Sequence, residues 1–173
     1  MADLKRALDL VRTVPDYPEP GVLFRDLNPL FADAEAVRTV IDAMAAGLPA
    51  GIDLVVPVEA RGFLLGGALA VALGCGMVPV RKPGKLPVVA DRVDYSLEYG
   101  TASLELPGGV LEAGRRVAVI DDVLATGGTV AAVCQLVERA DAEVVAVSVV
   151  LELTALGGRD LLTGRNVHAL QAI

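Results

Sequence analysis

The chain has 173 residues, is 54% hydrophobic but only 3% aromatic, and carries a formal net charge of −7. Such acidity argues against a broad nucleic-acid or membrane-surface footprint, since both need a basic face, and leaves room for a small phosphate pocket. The length fits one domain over residues 1–173, and with tryptophan absent its core must be Val, Leu, Ile and Ala, a mix suited to parallel strands covered by helices.

Leu4, Ala7, Leu8 and Val11 recur at helical spacing and predict an amphipathic helix. Pro15, Pro18, Pro20 and Gly21 then impose a loop, from which Val22–Asp26 emerges as a short apolar stretch. Val37, Val40, Ile41, Met44 and Leu48 predict a second helix, ended by Gly47, Pro49 and Gly51. Asp53–Glu59 (DLVVPVE) reads as a buried strand, Phe63–Leu73 as a small-residue helix and Met77–Val80 as a strand, together a βαβ unit. From Lys82 to Pro107 charges, Pro and Gly dominate. A connection of that length reads as a solvated excursion or a hairpin hood over a site.

The βαβ rhythm resumes with Arg116–Ile120 (RVAVI), a strand running into Asp121 and Asp122. Gly127–Arg139 follows as a helix with Val130, Val133, Val137 and Ala140 on one face. Val144–Leu151 is the most apolar strand and reads as central; a short helix near 156–162 and a strand near 166–170 close the chain. The expected fold is α/β, with a mainly parallel sheet, helices on both faces and a small hood. Cys75 and Cys134 lack any metal or redox spacing and read as reduced, buried thiols. No apolar run reaches the ~20 residues of a membrane helix, and no apolar leader is evident, so the expected setting is the cytoplasm.

Val119–Thr129 (VIDDVLATGGT) carries the strongest chemical signal. An apolar strand, two acids, a Thr-Gly-Gly-Thr turn and a helix start coincide at the end of an open sheet where ligands bind. Glycines let several N–H groups approach one anion, and the helix adds the positive end of its dipole. Asp121 and Asp122 are acceptors suited to neighbouring sugar hydroxyls. Glu59-Ala60-Arg61-Gly62, also at a strand end, is the second signal. His168, the only histidine, reads as structural.

The first motif resembles the phosphoribosyl pyrophosphate signature of the type I phosphoribosyltransferases. Three further segments resemble the adenine phosphoribosyltransferases within that family, in the same order and with similar gaps: PGVLFRD at 20–26, RKPGKLP at 81–87 and YSLEYG at 95–100. Asn28 departs from the family, where a hydroxyl residue is more frequent, and the last dozen residues match poorly.

The resemblance implies transfer of the phosphoribosyl group of phosphoribosyl pyrophosphate to adenine, giving AMP and pyrophosphate. Asp121 and Asp122 would hold the ribose hydroxyls, and Ala125, Thr126, Gly127, Gly128 and Thr129 the 5′-phosphate. Glu59, Ala60 and Arg61 would line the pyrophosphate side through a cis peptide between Glu59 and Ala60. Arg81, Lys82 and Lys85 would join them, and the resemblance implies a homodimer whose second subunit can supply them. Leu23, Phe24, Arg25 and Leu153 would receive adenine, and Glu98 with Tyr99 would serve catalysis. Mg²⁺ would be held mainly by substrate and water. The alternatives are an enzyme of the same fold for another base, or a nucleotide-sensing regulator that has lost catalysis.

Overall fold

Residues 2–96 and 101–173 are described by the computed structural model. They form two compact units, Met1–Ala43 and Met44–Ile173.

In the first unit, α1 (Ala2–Leu8) buries Ala7 and Leu8. Strands β1 (Arg12–Pro15) and β2 (Leu23–Asp26) pair antiparallel, with Thr13 opposite Arg25 and Val14 opposite Phe24. β1 lacks an apolar alternation, which is why the sequence reading passes over it. A short α2 (Asn28–Phe31), with Pro29 in its first turn, follows. The Asp26 carboxylate accepts from the Asn28 N–H at 2.9 Å and pairs with Arg12 at 2.5 Å. Helix α3 (Ala34–Ala46) starts three residues before the first apolar position. Asp33 caps it, its carboxylate taking the Ala36 N–H at 2.9 Å.

The second unit is built on a parallel sheet. Its elements are β3 (Leu54–Pro57), α4 (Gly62–Leu73), β4 (Gly76–Met77), β5 (Val89–Ser96), β6 (Thr101–Pro107), β7 (Arg116–Leu124), α5 (Gly128–Arg139), β8 (Glu143–Glu152) and β9 (Val167–Ala172). The sheet order is β4-β3-β7-β8-β9, all parallel. β7, not β8, is therefore the middle strand. Of the expected Met77–Val80 strand only Met77 lies in the ladder, which begins a residue earlier at Gly76; the Val78 N–H still reaches the Val55 carbonyl at 2.9 Å, and Val80 forms a bridge to Val58.

The crossover from β3 through α4 leads outward to β4, whereas that from β7 through α5 leads to β8 on the other side. Right-handed connections in opposite directions put α4 and α5 on opposite faces and open a crevice at the carboxyl ends of β3 and β7. Both chemical motifs follow those two strands.

Strands β5 and β6 form an antiparallel hairpin with Val93 opposite Leu104. Its stem differs from a solvated excursion. Val93, Leu104 and Leu106 are buried in the same cluster as Val130, Val133 and Val137 of α5, since alternate residues of both strands are apolar despite the charges between them. The expected helix near 156–162 is two 3₁₀ turns, Thr154–Leu156 and Gly158–Leu162, separated by Gly157 at φ +64°. Among the described residues no helix is long and apolar enough to cross a membrane.

The small residues of α4 allow close packing on the sheet. A Cβ at Gly66 would lie 2.5 Å from the Pro57 Cβ, and neither rigid ring nor helix backbone can give that distance. Gly66→Ala is expected to destabilise the fold by about 1–3 kcal/mol despite the better helix propensity of Ala. Denaturant unfolding checks this; unchanged or raised stability would contradict it.

Candidate active site

β7 runs to Leu124, so Asp121 and Asp122 lie inside the strand rather than just beyond it. Adjacent strand residues leave opposite faces. Asp121 lines a recess of about 60 Å³ together with Leu124, Ala125, Thr126, Gly127 and Thr129. Asp122 is 4% exposed, and its Oδ2 lies 2.8 Å from Arg61 Nε. The two predicted signals are thus joined by an ion pair across the crevice. Burial first, and the neighbouring Asp122 charge second, hold the Asp121 carboxyl well above the usual carboxylate range.

The five residues of the expected phosphate loop curl into the start of α5. Gly127 precedes the helix at φ +84°, a conformation glycine adopts without strain. A Cβ there would also lie 2.3 Å from the Gly158 carbonyl oxygen. The opening turn of α5 presents N–H groups that have no acceptor within the helix. The Thr129 hydroxyl donates to the Tyr95 hydroxyl at 3.3 Å, which ties the loop to the hairpin.

The peptide between Glu59 and Ala60 is cis, as the resemblance implies. The Glu59 carboxylate is engaged: Oε2 accepts from Arg81 Nε at 3.0 Å and from the Lys82 N–H at 2.8 Å. Burial opposes its ionisation, but these donors prevail and keep its pKa low. Glu59 therefore orients Arg81, whose guanidinium also lies 5.4 Å over the Phe63 ring. Lys85 is exposed. The Gly84 N–H donates to buried Glu105 at 3.2 Å, so the basic segment is anchored at its middle.

In the first unit Leu23 and Phe24 are consecutive on β2, so their side chains do not share a face. Phe24 packs edge-on against Tyr17, with ring centroids 5.1 Å apart. Arg25 reaches the Thr13 hydroxyl. Among the described residues β1 is the one strand paired with β2. Leu153 follows β8 directly, its N–H bonded to the Leu124 carbonyl at 2.8 Å. Glu98 and Tyr99 lie outside the described residues.

Gly158, Tyr95 and Glu105 are site residues that no local sequence pattern marks. Gly158 was legible only as part of a Gly-Gly pair in a turn, and Tyr95 only as the first letter of a family segment.

Fold and loops together are those of a phosphoribosyltransferase, and residues 32–160 match the phosphoribosyl transferase domain family. An adenine phosphoribosyltransferase of Saccharopolyspora erythraea is 61% identical over 98% of this chain and 92% of the relative. The crystal structure of adenine phosphoribosyltransferase from Thermoanaerobacter pseudethanolicus superposes with a TM-score of 0.95 at 43% identity, covering 98% of this chain and 99% of that one. The Saccharomyces cerevisiae enzyme, solved with an imino-altritol bisphosphate and adenine, gives a TM-score of 0.93 at 37% identity, covering 99% and 100%. The chain belongs to the phosphoribosyltransferase family, in its adenine phosphoribosyltransferase branch.

Proposed function

We propose that the protein transfers the phosphoribosyl group of phosphoribosyl pyrophosphate to adenine, giving AMP and pyrophosphate. The observation that carries this reading is the Asp121–Thr129 recess at the crevice between β3 and β7, bridged by Arg61 to the cis-peptide loop. Asp121 and Asp122 take the ribose hydroxyls, Asp122 with Arg61 as its partner. The N–H groups and hydroxyls of Ala125–Thr129 take the 5′-phosphate. Ala60 and Arg61, with Arg81, Lys82 and Lys85, take the pyrophosphate, and Glu59 steadies Arg81. The resemblance assigns Leu23, Phe24, Arg25 and Leu153 to adenine, with the main chain of Arg25 as the reader.

The bond from the ribose anomeric carbon to pyrophosphate breaks as the bond to adenine N9 forms, through an oxocarbenium-like state. Basic groups aimed at the departing pyrophosphate stabilise charge that exists only as that bond breaks. The donor set fits Mg²⁺ carried by the substrate. Asp121 and Asp122 are adjacent carboxylates at the ribose side, hard oxygen donors of the kind such a cation takes. Mg²⁺, when bound, neutralises charge on the pyrophosphate.

Glu98 assists proton movement on the purine, with Tyr99 beside it in sequence. Glu98→Leu is expected to lower kcat by roughly 10²–10⁴-fold while phosphoribosyl pyrophosphate binding stays nearly intact. Equal losses in both, from steady-state kinetics and calorimetry, would make Glu98 a binding residue instead.

A second copy completes the protein in this reading. α4 is apolar all round, and Leu64 and Val71 on it are 60% and 84% exposed, the mark of a face covered by a partner. A cytoplasmic setting fits the two free thiols, Cys75 and Cys134. The reverse reaction tests the function: AMP with pyrophosphate and Mg²⁺ should yield adenine and phosphoribosyl pyrophosphate. No adenine release above an AMP-only control would overturn it.

A further inference from the structure

We propose that Glu152 and Arg159 are positioning residues for the 5′-phosphate loop, acting through the backbone of Gly158. The inference rests on the phosphoribosyl reading above and adds residues that neither chemical motif contains.

Glu152 ends β8 and is 7% exposed. Arg159 grips its carboxylate with two nitrogens: Nε donates to Oε1 at 2.8 Å, and Nη2 donates to Oε2. The third nitrogen, Nη1, donates to the Val167 carbonyl at 3.0 Å, at the start of β9. A guanidinium held at three points by two strands has one position, because the fork is planar and its donors diverge at fixed angles. The segment between the paired residues, 153–158, is closed into a loop by that grip. Its first residue is Leu153; its last is Gly158, the immediate neighbour of Arg159.

Gly158 is buried and forms the wall against which the phosphate loop rests. A Cβ on it would lie 2.1 Å from the Ala125 carbonyl oxygen and 2.9 Å from the Gly127 nitrogen. A Cβ on Gly127 would lie 2.3 Å from the Gly158 carbonyl oxygen. Both contacts are backbone on backbone, so no side chain can swing away to relieve them. Gly158 does not need glycine for its φ, which is outside the left-handed region; it needs glycine for the contact. Where Arg159 is anchored therefore decides where Gly158 stands, and Gly158 decides how far Ala125–Gly127 can relax from an anion. Removing the clamp lets the N–H cradle widen without touching any group that contacts substrate.

The pair Glu138–Arg165 serves as the control. It is likewise a two-point grip, at 2.5 and 3.1 Å, and it ties the last turn of α5 to residue 165, beyond the 153–159 segment. The measurements are calorimetric binding of ribose 5-phosphate, KM for phosphoribosyl pyrophosphate, kcat at saturation, and Tm. Arg159→Met is expected to weaken ribose 5-phosphate and raise that KM by roughly tenfold or more, as displaced binding groups do, with kcat nearly unchanged. Arg159→Lys should recover part of the affinity, because an ammonium restores the charge but not the fork. Gly158→Ala should give the same binding defect with the ion pair intact. Arg165→Met should lower Tm and leave ribose 5-phosphate binding at the parent value. The proposal is overturned if Arg159→Met or Gly158→Ala binds ribose 5-phosphate as tightly as the parent, or if Arg165→Met weakens it equally. A parent that does not bind ribose 5-phosphate at all overturns the phosphoribosyl reading itself, which separates the two failures.

Discussion

Hypoxanthine and guanine are expected to be used with kcat/KM roughly 10⁴-fold below adenine, at matched Mg²⁺ and phosphoribosyl pyrophosphate. The reason lies in which atoms read the base. β2 has one partner strand among the described residues, and main-chain N–H and C=O groups at a strand edge are able to read the edge of a flat base. In our reading the Arg25 carbonyl accepts from the adenine 6-amino group and the Arg25 N–H donates to N1. A 6-oxopurine presents an acceptor to the carbonyl and a donor to the N–H, so both pairs become like against like. Each buried mismatch costs about 1–3 kcal/mol, and the two act together. Because the reader is main chain, Arg25→Ala should change total activity more than it changes this preference. Its side chain is engaged with the Thr13 hydroxyl and supports the strand. Hypoxanthine within tenfold of adenine would remove the adenine assignment and favour a related enzyme for another base.

The second large effect concerns the acid pair. Asp121→Asn is expected to lower kcat/KM for phosphoribosyl pyrophosphate by roughly tenfold to a hundredfold, the worth of one charge-assisted hydrogen bond. The same change should leave the ligand-free fold as stable at neutral pH or more so. Burial and the adjacent Asp122 raise the folded-state pKa of Asp121 above its unfolded value. The folded state then binds the proton more tightly, so stability falls as pH rises from the ordinary carboxylate range through the folded value. An amide has no charge to desolvate and removes that loss. Glu59 titrates in the opposite sense: its depressed pKa gives stability that is present at neutral pH and lost as pH falls through the folded value. Thermal melts of parent and Asp121→Asn across pH, beside their kinetics, check both halves. A variant that loses Tm at neutral pH and keeps its activity would place Asp121 in the structure and not in the site.

The parallel sheet, α4, α5 and the phosphate loop were legible because long apolar runs and glycine turns are local signals. The sequence predicts that β7 ends at Ile120, since charge marks most strand ends; in the structure Asp121 and Asp122 continue it, held by pairing with β8 and by Arg61. β1 was not legible, as its only signal is its pairing with β2. The 82–107 segment reads as a solvated excursion or a hairpin hood because charges interrupt its apolar residues; its stem is a hairpin with Val93, Leu104 and Leu106 in the core. Cis geometry at Glu59 and the reading of Arg25 came from resemblance alone. Gly158 was out of reach, because its importance is a backbone contact with residues more than thirty positions earlier.

The most direct test of the central claim is the stoichiometry of products from adenine, phosphoribosyl pyrophosphate and Mg²⁺. AMP and pyrophosphate are expected in equal amounts, formed only when adenine is present. Pyrophosphate released without AMP, or neither product formed by folded protein, would contradict it.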